Sequence, residues 1–174
     1  METFSHAPEG YECPFCQVAA GVDRPGRGTK QRDIIYRNDH VTAFLATKWW
    51  PNNQGHVLVV PNVHFENIFD LPVDYAAEIH RGAQLVARAM KHTYRCHGIS
   101  TRQHNEPAGD QDVWHYHLHV YPRYADDQLY LTVGAPTEPV EREPYADRLR
   151  DWMHTNLTAQ EPLARRYHTG MGPR

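Results

Sequence analysis

The chain has 174 residues, 40% of them hydrophobic, and a formal net charge of −3. That length fits one compact domain with a small appendage, and the acidic balance excludes the basic excess of a general nucleic-acid binder. No stretch approaches the roughly twenty apolar residues of a membrane span, and the polar, acidic residues 1–10 carry no secretory pattern.

From the N-terminus, the chain through Gly28 reads as loop-rich, punctuated by Gly21, Pro25, Gly26 and Gly28. Residues 34–36 and 41–45 flank Asn38-Asp39 and read as two strands joined by a tight turn. After Trp49-Trp50-Pro51-Asn52-Asn53, the run from His56 to Val60 is a short strand stopped by Pro61; its near-continuous apolarity predicts a central position. Ala76, Ile79, Ala83, Val86, Met90 and Tyr94 then recur at helical steps, which predicts one amphipathic helix over residues 73–96 between Pro72 and Gly98. Residues 99–103 read as a strand, 105–110 as a turn-rich loop and 114–121 as another strand. Pro136, Pro139 and Pro144 predict an extended connection, followed by a terminal helix with Tyr145, Leu149, Trp152, Met153 and Leu157 as its apolar stripe. Residues 158–174 read as a tail. Strands, helix, strands in that order predict an α+β fold with a mainly antiparallel sheet of about five strands, one long helix and a C-terminal helical extension.

His115-Tyr116-His117-Leu118-His119 is the most informative segment. On a strand the three imidazoles share one face, while Trp114, Tyr116, Leu118 and Val120 share the other. Three readings compete: solvated histidines on an exposed face, a three-histidine metal centre, or phosphoryl chemistry. Same-face neighbours lie about 6.5–7 Å apart on a straight strand, too far for three nitrogens on one ion. A neutral imidazole with a pKa of roughly 6.5 is, by contrast, a competent nucleophile or proton donor near pH 7.

Cys13, Cys16 and Cys96 make an odd count with one tight pair, a poor disulfide framework and a better metal pair, suited to a reducing cytoplasm. Cys13-Pro14-Phe15-Cys16 has the two-residue gap that lets both thiolates reach one ion, although a redox pair or an unrelated turn has the same spacing. Cys96 reads as a buried thiol. Arg123 reads as a phosphate contact or a strand-end salt bridge, and Trp49-Trp50 as a purine stack or a subunit contact.

The run from His115 to Tyr121 resembles the signature of the histidine triad (HIT) family. The resemblance extends over residues 13–124 and includes Gly55-His56-Val57-Leu58-Val59-Val60-Pro61, His64, and Asn105 through Gln111-Asp112-Val113. It implies a nucleotidyl hydrolase or transferase acting on purine nucleoside phosphate derivatives, phosphoramidates or dinucleoside polyphosphates. His117 is then the nucleophile, with His119 and His56 in the same catalytic site. His117, His119, Asn105, Gln111, Asp112 and Val113 surround the phosphate. Zinc-containing members imply a metal site of Cys13, Cys16, His64 and His115. The expected organisation is a HIT domain over residues 1–124 and an extension over 125–174 that packs on the domain or at the interface of a cytoplasmic homodimer. The sequence departs from the family at Asp112, where a serine is common, and at Ala46, where a ribose-binding carboxylate is common. These departures favour a second reading, a nucleotide-binding regulatory or scaffold protein with weak catalysis.

Overall fold

A computed structural model of the chain describes residues 4–157. Its elements in chain order are α1 (Pro14–Ala19), β1 (Ile34–Arg37), β2 (Val41–Leu45), β3 (Lys48–Trp49), β4 (Val57–Pro61), α2 (Val73–Thr93), β5 (Gly98–Gln103), β6 (Leu118–Arg123), β7 (Ala135–Pro136) and α3 (Pro139–Leu157). Five strands form one antiparallel sheet in the order β1-β2-β4-β6-β5, and β3 pairs with β7 in a small ribbon. The fold is α+β, as the order of elements predicts. β4 is the central strand and every one of its residues is buried, which is why it reads as an unbroken apolar run.

The register divides the sheet into two faces. Val57 lies opposite Leu45 and Val120, and Val59 opposite Ala43 and Leu118. This face receives α2, whose buried residues Ile79, Gly82, Ala83, Val86, Ala89 and Met90 recur at helical spacing. Gly82 permits the close approach: a Cβ there would sit 3.2 Å from a Val59 methyl. The other face carries Phe44, Leu58, His119 and, beyond the start of β4, His56. Phe15 of α1 covers part of it, with its ring 5.4 Å from Phe44 and 5.3 Å from His117.

The N-terminal segment is loop-rich around one short helix, α1, which Cys13 caps by accepting from the Cys16 amide at 3.4 Å. Two local expectations need correction. The histidine strand begins at Leu118, not Trp114: the Tyr116 amide donates to the Phe65 carbonyl at 2.6 Å, so the preceding residues run against a loop. The C-terminal helix begins at Pro139 rather than after Pro144. Proline suits the first helical turn, and Pro144 deprives only the carbonyl of exposed Val140 of a donor.

Residues 125–157 pack on the same core through Ala146, Leu149 and Met153, and α3 lies against α2, β1 and β2. Its buried stripe starts with a charge. Arg142 and Asp33 are fully buried and pair at 2.9 and 3.0 Å, with further donation from Arg142 to the carbonyls of Thr137 and Gly28. The tail expected over residues 158–174 lies outside the described residues, as do residues 1–3.

Candidate functional site

His117 is buried, 2% exposed, and its two ring nitrogens have different neighbours. Nδ1–H donates to the His115 carbonyl at 2.7 Å. Nε2 faces the Asp112 carboxylate at 3.9 Å, and that side chain is 83% exposed. One nitrogen is therefore fixed by the backbone, and the other keeps its lone pair on the side of the exposed Asp112 carboxylate. Burial holds the imidazole below its ordinary pKa.

Gly55 sets the position of His56. Its φ of +79° is a left-handed conformation that favours glycine, and a Cβ there would overlap the Tyr145 and Tyr94 rings. His56 Nδ1 lies 3.3 Å from the Lys48 carbonyl, so Nδ1–H donates there and Nε2 accepts from His119 Nδ1 at 2.9 Å. Tyr121 stacks on His56 at 4.0 Å, with its hydroxyl 3.2 Å from His119 Nδ1. These bonds leave His119 Nε2 as its available nitrogen. Burial pushes the His56 imidazole down to about 3 and holds His119 well below the ordinary histidine range. The rings of His117 and His119 are 4.9 Å apart.

Asn105 and Gln111 are largely occupied with the loops. The Asn105 oxygen accepts from the Ile68 amide at 2.8 Å, and its amide exchanges hydrogen bonds with Gln103, leaving one Nδ2 hydrogen. Gln111 bonds the Glu106 amide and the carbonyls of Glu66 and Val113. Among the described residues, no group accepts from the backbone amides of Asp112 and Val113. Ala46 is buried beside His56 and offers no polar side chain to a sugar.

Behind His117, the donor atoms of Cys13, Cys16, His64 and His115 lie within 4.8 Å of one another. Cys13 Sγ is 3.2 Å and Cys16 Sγ 3.6 Å from His115 Nδ1, and Cys16 Sγ is 3.3 Å from His64 Nδ1. Tetrahedral zinc, about 2.3 Å from sulfur and about 2.0 Å from nitrogen, sets its donors roughly 3.5 Å apart. The donor set fits that ion in chemistry and in spacing. His115 Nε2–H donates to the Pro61 carbonyl at 3.0 Å, which leaves Nδ1 to the cluster. Burial, then the adjacent Cys13, pushes the Cys16 thiol up to about 12; a dication is the partner that favours the thiolates.

Residues 27–126 match the family model of the HIT domain. The chain belongs to the HIT family. Protein hit of Bacillus subtilis is 33% identical over 112 residues, spanning 64% of this chain and 71% of that protein. AP-4-A phosphorylase of Mycobacterium tuberculosis is 29% identical over 121 residues, spanning 69% of this chain and 58% of that protein. The crystal structure of a Zn-bound histidine triad family protein from Mycobacterium smegmatis is similar with a TM-score of 0.70 at 28% identity, covering 86% of this chain and 98% of that one.

In this HIT protein the structure also separates residues that sequence left paired. Trp49 belongs to the core, edge-on to Tyr145 with ring centroids 4.8 Å apart, whereas Trp50 approaches His56 and Tyr121 at 5.9 and 5.4 Å. Arg123 is a strand-end ion pair, held by Asp127 at 2.7 and 2.8 Å. Cys96 is buried. Two site residues were missed altogether. His104 lies 5.6 Å from the His119 ring and donates from Nδ1 to the Gly109 carbonyl, and Arg102 lies opposite His119 in the sheet register. Their spacing of two residues, from β5 to the position just past its end, was the available signal, but it acquires meaning only once the β5–β6 register is known.

Proposed function

We propose that this protein is a nucleotidyl hydrolase or transferase whose covalent intermediate forms on His117. HIT proteins include nucleotide hydrolases and transferases, and one observation carries the reading to this chain: His117 is tethered at Nδ1 and presents Nε2. The Nε2 lone pair attacks the α-phosphorus of a purine nucleoside phosphate derivative. An N–P bond forms, the bond to the leaving group breaks, and the departing atom takes that electron pair. The bound phosphate favours the cationic form of His119, which passes a proton from Nε2 to the departing atom. Water then attacks phosphorus, returns a proton to His119, and the N–P electrons go back to Nε2. An alcohol or phosphate acceptor in place of water gives transfer. The amides of Asp112 and Val113, with His119 and the remaining Asn105 hydrogen, meet the charge on the phosphate oxygens.

Cys13, Cys16, His64 and His115 would hold zinc, and the ion, when bound, would supply rigidity rather than a reacting group. His115 is the link, since its ring belongs to the cluster and its carbonyl orients His117. The reduced cysteines fit a cytoplasmic location, and the β5 edge offers unpaired backbone to the homodimer that the family resemblance implies. Residues 1–124 would form the HIT domain and 125–174 its extension.

The exposed Asp112 carboxylate facing Nε2, together with Ala46, favours a second reading, nucleotide binding with weak turnover. Incubation of the protein and its His117→Ala variant with adenosine phosphoramidate and diadenosine tetraphosphate separates the two. Turnover lost in the variant supports the enzyme. Binding without turnover in either protein supports the second reading.

A further inference from the structure

Arg102, which the reaction above does not use, stands beside its proton donor. It is the direct cross-strand partner of His119 on β5, and such partners keep their Cβ atoms about 4.5–5.5 Å apart. The partner of His119 on the other side, Leu58 of β4, is apolar. The two flanks of His119 therefore differ: one suits an uncharged group and the other an anion.

The guanidinium is held by aromatic faces. Its central carbon lies 4.4 Å from the Tyr130 ring centroid, 5.2 Å from Tyr121 and 6.0 Å from Trp50. Trp50 is itself tied by an indole hydrogen bond of 3.0 Å to the Thr132 carbonyl, which fixes the segment carrying Tyr130. Arg123 touches the same Tyr130 ring at 4.9 Å, but Asp127 neutralises it. Among the described residues, no carboxylate pairs with Arg102. A long cation is thus fixed in place, without a counter-ion, one strand away from the reacting groups.

We propose that Arg102 is a specificity-determining residue that favours substrates whose leaving group is a phosphate chain over those that release a neutral amine. The inference rests on His117 as the nucleophile. When the P–O bond breaks, its electron pair stays on the departing phosphate oxygen. Arg102 meets the charge of that chain with a planar, two-pronged donor, while His119 supplies the proton. An ammonia or amine leaving group offers nothing for the guanidinium to bind.

The test is calorimetric binding of AMP, ATP and diadenosine tetraphosphate to the His117→Asn protein, which holds ligands without turnover, with and without Arg102→Met. AMP affinity is expected to stay within about 2-fold, whereas ATP and diadenosine tetraphosphate weaken about 10- to 100-fold. Arg102→Lys, which keeps a point charge, is expected to fall between the two. An equal loss for AMP, no loss for any ligand, or no binding of ATP and diadenosine tetraphosphate would overturn the inference. A loss confined to diadenosine tetraphosphate would also overturn it, by assigning the platform to the second nucleoside. Failure of the His117 reading is seen separately, as absence of His117-dependent turnover in the parent protein.

Discussion

His117 donates its Nδ1 proton to the carbonyl of His115, 2.7 Å away, while the His115 side chain turns to the two cysteines. One residue therefore joins the sulfur-rich cluster to His117, the proposed nucleophile, through its ring on one side and its backbone on the other.

Removal of metal is expected to disturb stability and activity together. Chelation, or Cys16→Ser, should lower the melting temperature by roughly 10 °C or more, since a structural zinc is worth several kcal/mol and each kcal/mol moves a chain this size by about 2–4 °C. Elemental analysis should find zinc in the untreated protein. An unchanged melt with no bound metal contradicts the assignment of Cys13, Cys16, His64 and His115.

Asp112 should weaken phosphate binding. Its carboxylate lies 3.9 Å from His117 Nε2 but is 83% exposed, so solvent screens most of its field. Asp112→Asn is expected to tighten AMP binding by only about 2- to 5-fold, an effect of up to about 1 kcal/mol. Titration calorimetry measures this. Weaker binding in the variant would show that the carboxylate positions the site instead.

Acid should destabilise the fold through His56. Its ordinary value is 6.5, and burial holds it at about 3 in the folded chain. Between those values the unfolded chain takes up a proton that the folded chain refuses. Stability is therefore fully present above 6.5 and falls as pH drops, by about 1.4 kcal/mol per pH unit for one such group, until the folded value is reached. His119 acts in the same direction. Urea unfolding across pH 7 to 5 should show a flatter dependence in His56→Asn; an unchanged slope assigns the acid sensitivity elsewhere.

The Arg142–Asp33 pair should be costly to break from one side. Both side chains are fully buried, so Arg142→Leu leaves a carboxylate in the interior with the Lys30 amide as a remaining donor. The expected loss is about 3–5 kcal/mol, and replacing Asp33 by Leu as well should recover part of it. Denaturant titration that finds less than about 1 kcal/mol for the single variant would contradict this.

What sequence revealed followed from periodicity. The apolar run of β4 and the helical spacing of α2 each carry their structure in local order, so sheet and helix were legible, and the alternating imidazoles marked the candidate site. Boundaries set by distant partners were not. Trp114 to His117 look like the start of a strand, yet the Tyr116 amide belongs to Phe65. The polar side chains of Asn105 and Gln111 sit in a loop rich in turn residues, where composition does not separate shaping the loop from binding a ligand. Arg102 and Trp50 reach the site through pairing and packing that only the fold creates. Trp49 goes to the core because its neighbour on the ribbon takes the opposite face.

The central claim is a covalent bond between phosphorus and His117 Nε2, and trapping it is the most direct test. The protein is mixed with phosphorus-labelled dinucleoside polyphosphate or adenosine phosphoramidate, quenched in alkali within one turnover, and mapped by peptide mass. Label on the peptide that carries His117, absent from His117→Ala, is the expected result. Turnover with no protein-bound label, or label on His119 or His56, would contradict it.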